Sequence, residues 1–231
     1  MTVQALARQR FGFQRLPVVT AVVFVVTATT SVLGLVIPGM LEGWQRTPQG
    51  LHGDWWRTFT ALLVQDGGVA GTISNLAFLL VLGAMAEQVL GAGRWLVCYL
   101  GAGLVGELAG YGWQPRGAGN SVAICGLAGA LIVALLVGAR APRLAPVVLV
   151  YWCGALLAAR WGPGLLVVCV AGGVVVQLAL GRGVPVGRPV AMAATIVALL
   201  LTAAMDLHGA AMVAGIVIAA VIGRPVANPH P

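Results

Sequence analysis

Lysine is absent from this 231-residue chain, and charged residues of all kinds make up only 8% of it. Soluble domains carry charge on about a quarter of their residues, so this sequence cannot furnish a water-facing surface and a soluble globular domain is excluded. The 13 basic residues are all arginines, set singly between apolar runs, so the net charge of +7 does not describe a nucleic-acid surface. Cysteine is scarce too. Cys98, Cys125, Cys153 and Cys169 lie inside apolar stretches without metal-ligand spacing, and each reads as a small buried hydrophobe. No metal site or disulfide is implied. Internal repeats and intramembrane charges are also wanting, Glu107 being the one acid in mid-span, which argues against a transporter.

What the chain has in quantity is apolar residue and glycine: 60% hydrophobic, 33 glycines and a mean hydropathy of +0.98. A bilayer is then the solvent, and helices that gain little by leaving lipid use small residues to bring their backbones together. Runs long enough to span, given that about 20 apolar residues cross the hydrocarbon core, fall near 17–39, 70–90, 94–113, 121–139, 143–160, 163–181, 189–205 and 207–223. The expected fold is therefore all-α, a polytopic transmembrane bundle of about eight spans. Gly, Pro and Trp punctuate the breaks, as at Gly91 to Gly93, around Pro115, Pro142 and Pro163, and from Gly181 to Pro189.

Alternating the eight spans from a cytoplasmic N-terminus puts Arg8, Arg10, Arg15, Arg94, Arg140, Arg143, Arg182, Arg188 and Arg224 inside, and Arg46, Arg57, Arg116 and Arg160 outside. This distribution obeys the positive-inside rule. It implies a cytoplasmic segment over 1–16, a membrane domain over 17–223 with an outer loop at about 40–68, and a cytoplasmic tail over 224–231. Both termini are cytoplasmic, and the plasma (inner) membrane is the expected location. The first apolar run is long enough to span and no small-residue cleavage site follows it before Pro38, so it reads as a retained helix. The outer loop holds Trp44, Trp55 and Trp56. It is either a solvated connection with aromatic anchors or a structured element in the outer leaflet.

Two residues carry candidate chemistry. Ser121 opens the fourth span after Gly117-Ala118-Gly119-Asn120, where free backbone N–H groups and the helix dipole would stabilise an oxyanion, and where Gly119 leaves room for a substrate backbone. A serine at a helix start is also simply a cap. His208, in Met205-Asp206-Leu207-His208-Gly209, opens the last span, and the topology gives it the same outer depth as Ser121. Gly126, Gly129 and Ala130 on one helix and Ala211 and Gly215 on the other would let the two approach, bringing imidazole to hydroxyl as a general base requires. Small-residue packing around an interfacial histidine accounts for the same residues without chemistry. Asn75 adds a polar group near the outer end of the second span, either an oxyanion donor or a tie between helices.

Taken together, Trp55-Trp56-Arg57-Thr58-Phe59-Thr60, Asn75 with Gly83-Ala84-Met85-Ala86-Glu87-Gln88-Val89-Leu90-Gly91, Tyr99, Gly119-Asn120-Ser121-Val122-Ala123-Ile124-Cys125-Gly126-Leu127, and His208 with Ala211 and Gly215 resemble the rhomboid family of intramembrane serine proteases. The resemblance covers about residues 50–139 and 203–223. It implies a Ser121/His208 dyad acting on membrane-anchored protein substrates in the bilayer, with Asn75 and the Ser121 N–H holding the oxyanion, Gly119 beside them, and no cofactor. A catalytically weak or inactive relative that binds transmembrane clients is the alternative.

Four departures from the family pattern stand out. Gly71 occupies the place of a histidine that usually supplies a further oxyanion donor, and Val122 replaces the glycine that usually follows the nucleophile, where it threatens to crowd the scissile carbonyl. Asp66 stands about where another family histidine is often found. Finally, the 86 residues between Ser121 and His208 hold about three spans where the common six-span core has one. Two added helices preserve the facing of both residues.

Overall fold

The computed structural model describes residues 15–222. Arg8, Arg10 and Arg224, and the terminal segments of the expected topology beyond 15 and 222, lie outside the described residues. Within them the chain is helical, with no strand beyond an isolated antiparallel bridge between Arg46 and Gly117.

Each expected span is a helix, displaced by a few residues at most. The first is α1 (Val18–Val36), and α4 (Gly68–Leu90) is the second. The third, α5, runs as Ala92–Leu96, a π-helical stretch Val97–Gly101, and Ala102–Trp113. Then come α6 (Ser121–Leu136), α7 (Ala145–Trp161), α8 (Gly164–Gly181), α9 (Gly187–Ala203) and α10 (Leu207–Val221). By length and composition, α1, α4 and α8 are each sufficient to cross a membrane, and four of the others are shorter apolar helices. The protein is an integral membrane protein built as a helical bundle.

Which faces are buried follows from the solvent. On α1 the buried residues are Thr20, Thr27 and Ser31, while Val22, Val25, Val26 and Val32 point outward. This inversion is expected where lipid replaces water and polar groups seek partners inside. Glu87 of α4 shows one such partnership: its carboxylate accepts from the backbone N–H groups of Val19 and Thr20 and from the Thr20 hydroxyl, capping the start of α1.

At the centre stands α6, buried from Val122 to Ile132 and walled by α4, α5, α9 and α10. Its closest crossing is with α10. A Cβ added to Gly215 would lie 2.4 Å from the Gly126 carbonyl oxygen, and one added to Gly126 would lie 2.3 Å from the Cys98 oxygen, in the π-helical stretch of α5. Only glycine permits such backbone contact. Outside this core, α8 buries Gly173 alone and packs on α7, turning Val167, Val168 and Val175 outward.

The outer loop is a folded element. It contains α2 (Met40–Trp44), a 3-10 turn over Pro48–Leu51 and α3 (Arg57–Thr60). Arg57 ties these together, donating to Asp54 Oδ2 at 2.9 Å and to the Glu42 carbonyl at 2.7 Å. Trp55, Trp56 and Phe59 form an exposed aromatic group on its surface.

Candidate active site

The segment joining α5 to α6 sets the nucleophile in place. Arg46 pairs its backbone with Gly117, Asp66 accepts the Ala118 N–H at 3.0 Å, and Gly119 donates its N–H to the Ala61 carbonyl at 2.9 Å. The outer loop thus clamps this connection residue by residue. Asn120 occupies the cap position of α6 and Ser121 is its first helical residue. Of the two readings of Ser121, a plain cap is the one its position does not match, since Asn120 holds the cap position and the Ser121 hydroxyl meets His208.

Ser121 Oγ lies 3.0 Å from His208 Nε2, across 87 residues of sequence. The two are brought together by the Gly126–Gly215 crossing, as the small-residue pattern predicts, and both stand at the starts of helices running the same way. Of the three helices between them, α7, α8 and α9, the first two form an outer pair and α9 returns the chain to α10. The Ser121–His208 approach is thus made with three helices between its two members.

Around Ser121 the polar groups converge on Gly119. A Cβ added there would sit 3.1 Å from Ser121 Oγ, 3.4 Å from Gln65 Oε1 and 3.6 Å from Asn75 Nδ2. Gly119 leaves this spot vacant, and since its own N–H is bound to Ala61 its contribution is space rather than a donor. Asn75 gives one amide hydrogen to Gln65 Oε1 at 2.7 Å, and Gln65 in turn donates to Asn120 Oδ1 at 2.8 Å. An amide has two donor hydrogens, and this bond uses one of those on Asn75. The first N–H groups of α6 have no intrahelical partner, since the ladder starts with Ile124 donating to Asn120.

The departures from the family pattern have local explanations. Val122 turns into the bundle against Gly106 of α5, where a Cβ would come within 2.4 Å of its Cγ1, so its side chain is packed between helices. At Gly71 an added Cβ would meet nothing within 4 Å, leaving an open position one turn before Asn75.

Three residues of consequence escaped the sequence. Gln65 looked like a loop residue, yet it is buried and links Asn75 to Asn120. Arg46 is buried and paired with Glu107, and it donates to the Gln114 carbonyl through Nε at 3.1 Å and Nη2 at 2.8 Å. Asp206 is the cap of α10: its Oδ1 accepts from the His208 N–H at 2.9 Å and lies 2.8 Å from His208 Nδ1. Burial pushes the Asp206 carboxyl up, but its hydrogen bonds from His208 and the charges of His208 and Arg160 outweigh burial and hold it below the usual carboxylate range. Among the described residues no group of three His, Cys, Asp or Glu side chains is gathered to hold a metal.

A family model described as the rhomboid domain matches residues 52–222. The rhomboid protease GluP of Bacillus subtilis (strain 168) is 38% identical over 86 residues, 37% of this chain and 17% of that protein. The putative rhomboid protease YdcA of the same organism is 31% identical over 101 residues, 40% of this chain and 50% of its own length. The chain thus spans half or less of these curated relatives.

Proposed function

The chain belongs to the rhomboid family, and from that premise we propose that it is an intramembrane serine endopeptidase in which Ser121 and His208 form the catalytic pair. The single observation that carries this reading is the 3.0 Å approach of Ser121 Oγ to His208 Nε2 at the heads of two glycine-packed helices. His208 takes the hydroxyl proton as Ser121 attacks the scissile carbonyl, then returns it to the leaving nitrogen. The oxyanion is held by the Ser121 backbone N–H and the second amide hydrogen of Asn75, with Gly119 giving the substrate backbone its space.

Substrates are transmembrane or membrane-anchored proteins that enter from the bilayer. The membrane domain covers 17–223, with cytoplasmic segments before and after it, in the plasma membrane. The arginine distribution along the sequence supports this orientation.

The test is incubation of purified protein with a panel of transmembrane substrates, comparing wild type, Ser121→Ala and His208→Ala, alongside labelling by a serine-directed fluorophosphonate. Cleavage and labelling are expected only in the wild type. Cleavage that persists in both variants would exclude the pair, and client binding without cleavage by any form would favour a non-proteolytic relative.

A further inference from the structure

His208 has two ring nitrogens, and the pairing with Ser121 uses only one. The other, Nδ1, lies 2.8 Å from Asp206 Oδ1. Asp206 is two residues upstream, is 6% exposed, and has an extended backbone that turns its carboxylate back over the first turn of α10. Its position is over-determined. Its own N–H donates to the Leu201 carbonyl at 2.9 Å, the preceding Met205 adopts the left-handed conformation at φ 56, and Arg160 donates to the Ala204 carbonyl at 3.3 Å. A non-glycine residue with positive φ is uncommon and marks a backbone constrained by its surroundings.

We infer that Asp206 is a positioning residue that completes a Ser121–His208–Asp206 relay, so that the base of the proposed protease is oriented by a carboxylate rather than acting as half of a pair. The inference rests on the serine-protease reading above. A carboxylate on Nδ1 fixes the tautomer with hydrogen on Nδ1 and the lone pair on Nε2, the nitrogen facing the hydroxyl. As Oγ bonds to the scissile carbon and the carbonyl π electrons move to oxygen, the hydroxyl proton passes to Nε2. When the tetrahedral species collapses, the C–N electron pair leaves with nitrogen and takes that proton. Asp206 stays ionised throughout and faces the imidazolium while it exists.

Helix capping alone does not need this residue. Serine and asparagine cap as well as aspartate, but serine is too short and uncharged to do the same at Nδ1. The two roles therefore separate by substitution.

The experiment compares wild type, Asp206→Ser and Asp206→Asn as full-length protein in detergent micelles, measuring the rate at which a fluorophosphonate labels Ser121, the midpoint of thermal unfolding, and the histidine tautomer by nitrogen NMR, with the His208 signals identified through His208→Ala. Wild type is expected to carry its proton on Nδ1. The Asp206→Ser protein should stay folded at the assay temperature and label at least about 100-fold more slowly, against about 10⁴-fold where the orienting aspartate of a soluble serine protease is replaced by asparagine. If the serine variant unfolds early, the near-isosteric asparagine variant supplies the rate. Wild-type labelling rates in a folded variant, or a wild-type His208 protonated on Nε2, overturn the inference. Failure of the wild type to label at all sinks the protease reading instead, and the NMR tautomer still decides the His208–Asp206 contact.

Discussion

Arg46 and Glu107 meet as an ion pair with side chains 2% and 0% exposed, joining the outer loop to the middle of α5. Removing one member of a buried pair strands the other without water or counter-charge. Arg46→Ala and Glu107→Ala should therefore each lower stability by about 3 to 5 kcal/mol, read by unfolding titration in mixed micelles. Because Arg46 also bonds the Gln114 carbonyl and pairs its backbone with Gly117, just before Ser121, both variants should lose fluorophosphonate labelling as well. Replacing both residues with a matched apolar pair should recover much of the stability.

Gly71 offers a gain of function. It lies one turn before Asn75, and an added side chain starts in open space. Gly71→His would aim a further donor toward the site, and a single oxyanion donor is worth about 10²- to 10³-fold in kcat. Even a partly aligned imidazole should raise the cleavage rate measurably with KM little changed. Slower cleavage by a folded variant would show that the space at Gly71 is used by substrate.

The Asn75–Gln65–Asn120 chain predicts graded losses. Asn75→Ala removes a direct donor and should cost about 10²- to 10³-fold in kcat. Gln65→Ala leaves the donor but frees it to rotate, and misplacement by about 1 Å costs up to about 100-fold. The second effect should appear in kcat rather than KM, measured by steady-state cleavage in proteoliposomes.

Acid should weaken the fold through Asp206. Its carboxyl is held below the ordinary carboxylate range, so folding favours the ionised form. Its contribution is complete above the unfolded-state value and disappears as pH falls through the lowered folded-state value. The stability difference between wild type and Asp206→Asn should accordingly be constant near neutrality and shrink below about pH 4, checked by thermal unfolding at several pH values.

Much of this architecture is legible in the residues, and the limits are physical. Apolar runs define spans because lipid demands them, and the facing of Ser121 and His208 follows from counting helices. Gly126 and Gly215 announce their crossing because nothing larger fits there. Arg46 was opaque: its partner Glu107 is 61 residues away on another element, and an arginine in a loop reads as exposed. Gln65 was hidden in the same way, its partners coming from two other elements. Asp206 carries a signal in its spacing, since an acid two residues before a candidate base can cap the helix and reach Nδ1 at once.

The crossing of α6 over α10 leaves the candidate site one mechanical property. Where the Gly126 and Gly215 backbones touch there is no side chain to rotate away and no slack to take up. The hydroxyl and the imidazole consequently ride on a single stiff body. Any widening that admits a polypeptide has to come from the walls that meet through side chains, such as the edge where Phe78 of α4 lies against Trp152 of α7. Thinner or thicker bilayers should be felt there first, and at the oxygen-to-nitrogen gap last.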